Sequence, residues 1–187
     1  MLYVGNYGLE MIRDGQLMVI DEAKAWEEPM SRFVRELGEP TIPGVLYTPK
    51  RITMSITYRA APERERTRAK ILEQLERVNA HYGFMLSEGH TIWEVRPPIA
   101  FNKGTAIVGL IEEFNFDAAI FLGDDRTDVP ALEAIRQLRE AGRIEGLAVA
   151  VHGEFEVPAV RKAADVFANN VDNVEQLVGY LLKQTPN

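Results

Sequence analysis

Apolar positions recur along this chain with two periods, and the change of rhythm falls at Pro97-Pro98. Residues 1–20 read as a strand, a bend punctuated by Gly5 and Gly8, and a hairpin turning at Arg13-Asp14-Gly15. From Glu22 to Gly38 the period is helical, with Trp26, Met30, Phe33, Val34 and Leu37 on one stripe; Pro29 marks a kink or a restart. Gly38 and Pro40 end that helix. Alternation follows, placing Ile52, Met54, Ile56 and Tyr58 on one strand face. A long charged helix opens at Pro62 and runs to Tyr82, its inner face formed by Ile71, Leu72, Leu75, Val78 and Tyr82. A second hairpin, turning at Glu88-Gly89, puts Thr91, Trp93 and Val95 together. Residues 22–96 thus form a small α+β module.

Beyond Pro98 helices and strands alternate. The pattern predicts a helix from Lys103, a strand at 118–123, a helix at 129–141 and a strand at 147–151. A short helix from Pro158, a strand at 165–168 and a helix over 174–182 complete it. This is the rhythm of a parallel sheet covered by helices. Residues 1–20 are expected to join that sheet, making the module an insertion.

Composition narrows the functional classes. A chain of 187 residues, 46% hydrophobic, can bury one sizeable core or two small ones. A formal charge of -7 disfavours nucleic acid and anionic membranes as partners. No stretch reaches the roughly 20 apolar residues of a membrane span. The absence of cysteine excludes disulfide and thiolate chemistry and suits a reducing cytoplasm.

Two stretches carry candidate chemistry. In FLGDDRTDVPALEAI, the predicted strand ends at Gly123 and opens into Asp124, Asp125 and Asp128, ahead of a helix led by Pro130. Ligands of open α/β sheets bind at such strand ends. Three clustered carboxylates repel one another unless a hard cation such as Mg²⁺ lies between them. The alternative is an acidic turn, with Thr127 or Asp128 capping the helix. In FNKGTAIVGL, Asn102 is a good N-cap, which puts Lys103 in the first helical turn. A cation there opposes the helix dipole by about 0.3–1 kcal/mol. Either it faces anionic oxygens at a site, or it is a solvated surface lysine.

GDDRTD resembles the GDDxTD motif of haloacid-dehalogenase-type phosphatases, and of trehalose-6-phosphate phosphatases in particular. VGNYGLEM resembles their GNHGLEI segment, WEVRP their LExRP segment and NKGTAI their conserved lysine segment, in the same order along nearly the whole chain. The resemblance implies an α/β fold, a haloacid-dehalogenase-type (Rossmann-like) parallel-sheet core at 1–21 and 97–187, with an inserted α+β cap at 22–96. It implies a Mg²⁺-dependent phosphatase of a small sugar phosphate, most directly trehalose 6-phosphate, acting through an aspartyl-phosphate. Asp124 would ligate Mg²⁺ and Asp125 support it, while Lys103 steadies phosphate and nucleophile beside Asp128. Asn6, Tyr7 and Gly8, and Lys50, Arg59, His90, Glu94 and Arg96 of the cap, would contact the sugar.

The chain departs from the family pattern in places. The nucleophile motif D-x-D-G-T/S is absent, as is the family's Ser/Thr motif at the end of a second strand. The expected core therefore lacks its first strands, and the chain alone is expected to be inactive. It is read as a fragment or a chain whose start was placed too late; alternatives are a subunit completed by another polypeptide and a non-catalytic sugar-phosphate binder. Unpaired sheet edges would then invite association, with itself or with the missing N-terminal part. Tyr7 replaces a histidine, His90 a lysine and Thr48 a glutamate, which keeps a related sugar-phosphate phosphatase open. An acidic Mg²⁺-binding response domain would share the strand end but has no use for residues 22–96.

Overall fold

A computed structural model describes residues 2–153 and 157–184; the apolar start expected at Met1 lies outside them. The chain divides into two compact units, residues 1–100 and 101–187.

In the first unit, β1 (Tyr3–Gly5), β2 (Glu10–Arg13) and β3 (Gln16–Val19) form an antiparallel sheet of their own. The expectation that residues 1–20 join the parallel sheet is not met in the hydrogen bonding. These strands pair with sequence neighbours, which closes the shortest loops. Arg13 faces Gln16, leaving Asp14 and Gly15 as a two-residue turn with φ of 51° and 77°, the left-handed pair that suits strand twist.

Helix α1 (Asp21–Lys24) stops before Trp26, and α2 (Glu27–Leu37) follows. The break precedes Pro29, which sits in the first turn of α2, where its missing N–H leaves no intrahelical bond unmade. Strands β4 (Leu46–Pro49), β5 (Met54–Thr57), β6 (Met85–Gly89) and β7 (Ile92–Arg96) form a sheet in the order β4-β5-β7-β6. The face bearing Met54, Ile56, Tyr58, Trp93 and Val95 packs on Met30, Phe33 and Leu37 of α2 and on Ile71, Leu75 and Val78 of α3 (Arg64–Asn79). Gly89 pairs with Ile92, so the β6–β7 turn is His90-Thr91 and not Glu88-Gly89. Glu88 is kept in the strand by pairing with Trp93 and by hydrogen bonds from Arg68 and Tyr58.

In the second unit, β8 (Ala118–Gly123), β9 (Glu145–Val151) and β10 (Val166–Ala168) are parallel, in the order β10-β9-β8. Helices α4 (Lys103–Phe114), α5 (Val129–Glu140) and α6 (Pro158–Ala163) supply Ile111, Leu132, Ile135, Leu138 and Val160 to a core shared with Ala148 and Ala150 of β9. Helix α7 (Val171–Gln184) closes the described chain, with Val171, Tyr180 and Leu182 exposed.

An ion pair staples this unit. Arg139 donates to both oxygens of Asp165, at 2.6 and 2.9 Å, and Asp165 also accepts from the Ala148 amide. The Arg139 guanidinium, chiefly by hydrogen bonding, holds the Asp165 carboxyl below its usual 3.8. Arg68 does the same to Glu88 in the first unit. A carboxyl depressed on folding contributes stability that is complete above its unfolded value and disappears as pH falls through the folded one. Both units should therefore lose stability below about pH 4, and Asp165→Asn should flatten that dependence in the second unit. Urea midpoints at pH 7, 5 and 3 check this; equal slopes for variant and parent would contradict it.

Candidate active site

The carboxyl end of β8 carries the site. Gly123 ends the strand against Asp128: a Cβ added at Gly123 would lie 2.5 Å from the Asp128 Cβ, so only glycine allows the loop to fold this tightly. Asp125 caps the short 3-10 turn Arg126–Asp128 by accepting from the Arg126 amide at 2.6 Å. Asp128 stands at the N-cap position of α5, as considered from the sequence, but makes no side-chain cap bond there.

Asp128 turns inward and is 5% exposed. Its Oδ2 accepts from the Asp124 and Asp125 amides, both at 3.1 Å, and its Oδ1 accepts from Lys103 Nζ at 2.6 Å. Both oxygens are thus committed to shaping the loop and holding the lysine.

Lys103 arrives from α4, whose N-terminus is closed by a capping box between Asn102 and Thr105. Gly104 lets α4 approach α5: an added Cβ there would fall 2.7 Å from the Pro130 carbonyl carbon. The unfavourable first-turn lysine is thereby explained, since the Asp128 carboxylate is the anion it faces. Its side chain stays 38% exposed, leaving ammonium hydrogens for a second anion.

Asp124 faces the other way. It lines a cavity of about 200 Å³ across the ends of β8, β9 and β10, together with His152, Gly153, Arg161, Phe167 and Asn169. Arg161 lies 5.0 Å over the Phe167 ring. No signal in the sequence marked His152, Arg161 or Phe167, because their convergence depends on strand order. Among the described residues no group of three or more His, Asp or Glu side chains converges as a metal site. Asp124 is a hard oxygen donor at the right strand end, Asp125 is engaged as a cap and Asp128 is spent. The residues present therefore fit one edge of a Mg²⁺ site rather than a whole one.

In the first unit, Asn6, Tyr7 and Gly8 form a 3-10 turn with φ of 47°, 63° and 95°. Asparagine enters the left-handed region readily, whereas Tyr7 there costs about 1–2 kcal/mol. Asn6 locks the turn, donating to Glu10 and accepting from Thr53 Oγ1 at 3.0 Å. Arg96 lies 5.4 Å over the Tyr7 ring, and Lys50 joins Thr53 through its backbone. Asn6, Tyr7, Lys50 and Arg96 thus gather at one end of β5, with Glu94 one alternation further along β7 and bonded to Ser55 at 2.9 Å. Arg59 and His90 lie at the other end, where Tyr58 N donates to Thr91 O. Six residues of strand separate the two groups, roughly 20 Å.

Comparison with known proteins assigns the chain. Residues 1–171 match the trehalose-phosphatase family. The chain belongs to that family. A trehalose-phosphate phosphatase of Mycobacterium avium (strain 104) is 29% identical over 159 residues, covering 80% of this chain and 39% of the relative, so the chain spans about two fifths of that protein. The crystal structure of a trehalose-6-phosphate phosphatase related protein shares the fold, with a TM-score of 0.75 at 19% identity over 94% of this chain and 69% of that one. The C-terminal domain of the Candida albicans trehalose-6-phosphate phosphatase aligns with a TM-score of 0.67 at 20% identity, over 96% of this chain and 70% of that one. The chain is thus an α/β member of the trehalose-phosphatase family. Among the described residues no helix is long and apolar enough to cross a membrane.

Proposed function

We propose that this chain is the phosphate-holding and sugar-holding part of a Mg²⁺-dependent sugar-phosphate phosphatase whose substrate is trehalose 6-phosphate. The observation that carries the reading is the Lys103–Asp128 pair at 2.6 Å, built on the backbone amides of the loop that presents Asp124. Lys103 neutralises phosphate oxygens, Asp128 fixes its ammonium, and Asp124 offers an oxygen to the cation. When bound, Mg²⁺ supplies positive charge between carboxylate and phosphate. Asn6, Tyr7, Gly8, Lys50, Arg59, His90, Glu94 and Arg96 are the proposed sugar contacts, with residues 22–96 read as the cap and residues 1–21 as part of the core. We place the protein in the cytoplasm, with no nucleic acid or membrane partner.

The aspartyl-phosphate route needs a nucleophile, and these 187 residues contain no D-x-D-G-T/S strand. We assign that strand and the remaining Mg²⁺ ligands to polypeptide outside them, pairing along β8, an edge strand among the described residues. Incubated with Mg²⁺ and trehalose 6-phosphate, the 187-residue chain should release no phosphate. Joined to a segment carrying the missing strand, it should hydrolyse trehalose 6-phosphate faster than other sugar phosphates. Steady turnover by the chain alone contradicts the assignment of the nucleophile; preference for another sugar phosphate moves the substrate to a related one.

A further inference from the structure

The first unit carries an open groove of about 480 Å³ between the start of α2 and the chain that leaves α3. That lies within the roughly 300–1,000 Å³ of small-molecule sites. Its walls are Trp26, Pro29 and Tyr82, and its rim is Glu28, Arg32 and His81. The walls are held in place by rings behind them. Trp26 lies 5.1 Å from Phe84 and Tyr82 lies 5.6 Å from Phe33, and both phenylalanines are buried. Tyr82 is fixed further by donating its hydroxyl to Glu36 at 3.0 Å. Trp26 and Tyr82 themselves are half-buried. The rim is open to solvent, with the Arg32 and Glu28 side chains 60% and 73% exposed. These two pair with each other, Arg32 Nη2 donating to Glu28 Oε1, so their charges cancel. A phosphate would meet Glu28 as well as Arg32, and a cation Arg32 as well as Glu28, so the groove favours a neutral ligand. The pair still offers guanidinium N–H groups beside carboxylate lone pairs, the complement of two adjacent hydroxyls. The Trp26 indole N–H and the His81 ring add two more hydrogen-bonding groups at the same groove. Aromatic walls beside a hydroxyl-matching rim suit a sugar ring, which carries C–H bonds on its flat face and hydroxyls around its edge.

We propose that this groove is a site for a neutral saccharide, with one ring against Trp26 and Tyr82 and adjacent hydroxyls on the Glu28–Arg32 pair. It shares no residue with the proposed sugar-phosphate contacts and does not rest on that reading. Titration of the 187-residue chain with maltotriose, followed by tryptophan emission and by calorimetry, tests it. The chain has two tryptophans and Trp93 is 6% exposed, so the emission change is expected from Trp26. Trp26→Leu should abolish that change and weaken binding at least about tenfold. Trp26→Phe, which keeps a ring, should bind within about threefold of the parent. Arg32→Ala, on the exposed rim, should weaken binding about fivefold and decides the matter if Trp26→Leu does not fold. Three results would each overturn the inference: no saturable binding of maltotriose, equal binding by the parent and Trp26→Leu (or, in its place, Arg32→Ala), or preference for an oligoproline peptide over maltotriose. A parent chain that binds maltotriose but not trehalose 6-phosphate overturns the sugar-phosphate reading and leaves this site standing.

Discussion

Gly104→Ala should be among the most damaging single substitutions in the chain, lowering the stability of the 101–187 unit by about 3 kcal/mol. The new methyl would stand 2.7 Å from the Pro130 carbonyl carbon and about as close to the Asn102 side-chain oxygen at 3.0 Å. The first neighbour is backbone, and α5 cannot yield without disturbing Leu132 and Ile135, both fully buried. Helix propensity works the other way, since alanine is favoured over glycine inside a helix by about 1 kcal/mol. The sign of the effect therefore decides between close approach and propensity. Chemical denaturation monitored by circular dichroism reads it; a variant as stable as the parent would mean that α4 and α5 are not held at this distance.

The second large effect is expected from Asp128→Ala. It removes the acceptor of two backbone amides and the partner of Lys103 together. Because Lys103 is 38% exposed, water takes up part of the loss. The amides of Asp124 and Asp125 are less fortunate, and the net cost should be about 2–4 kcal/mol. Lys103→Met should cost much less, since Asp128 keeps its amide donors, yet it should weaken binding of a sugar phosphate at least about tenfold. This split between a structural carboxylate and a ligand-facing cation separates the two halves of the pair. If Lys103→Met destabilised as much as Asp128→Ala while leaving binding unchanged, the lysine would be a structural brace.

Much of this was legible in the residues. The helical stripe Met30, Phe33, Leu37 and the alternation Ile52, Met54, Ile56, Tyr58 are buried as their periods require. Asn102 and Lys103 open α4 where the N-cap rule puts them. The acidic loop was legible as a unit but not in its parts. Three carboxylates at one strand end suggest three ligands, and nothing local shows that Asp128 folds inward while Asp124 faces a cavity. That division comes from Gly123 and Gly104, whose missing side chains matter only once the loop, α4 and α5 are packed. Ser55 was hidden for a related reason, because its partner Glu94 lies 39 residues away and meets it only through strand register. The pairing of residues 1–20 was misjudged because apolar alternation specifies a strand but not its neighbour, and local antiparallel closure won. The β6–β7 turn slipped because Gly89 is the obvious turn former, whereas the left-handed position fell to Thr91, with φ of 56°.

We propose that this chain binds a sugar phosphate, with Lys103 a contact of the phosphate and Glu94 a contact of the sugar. It is tested most directly by titrating the 187-residue chain with trehalose 6-phosphate and Mg²⁺, alongside Lys103→Met and Glu94→Gln. Saturable binding of the parent, weakened at least about tenfold by each substitution with the fold retained, is the predicted result. No saturable binding, or binding that neither substitution alters, would contradict it.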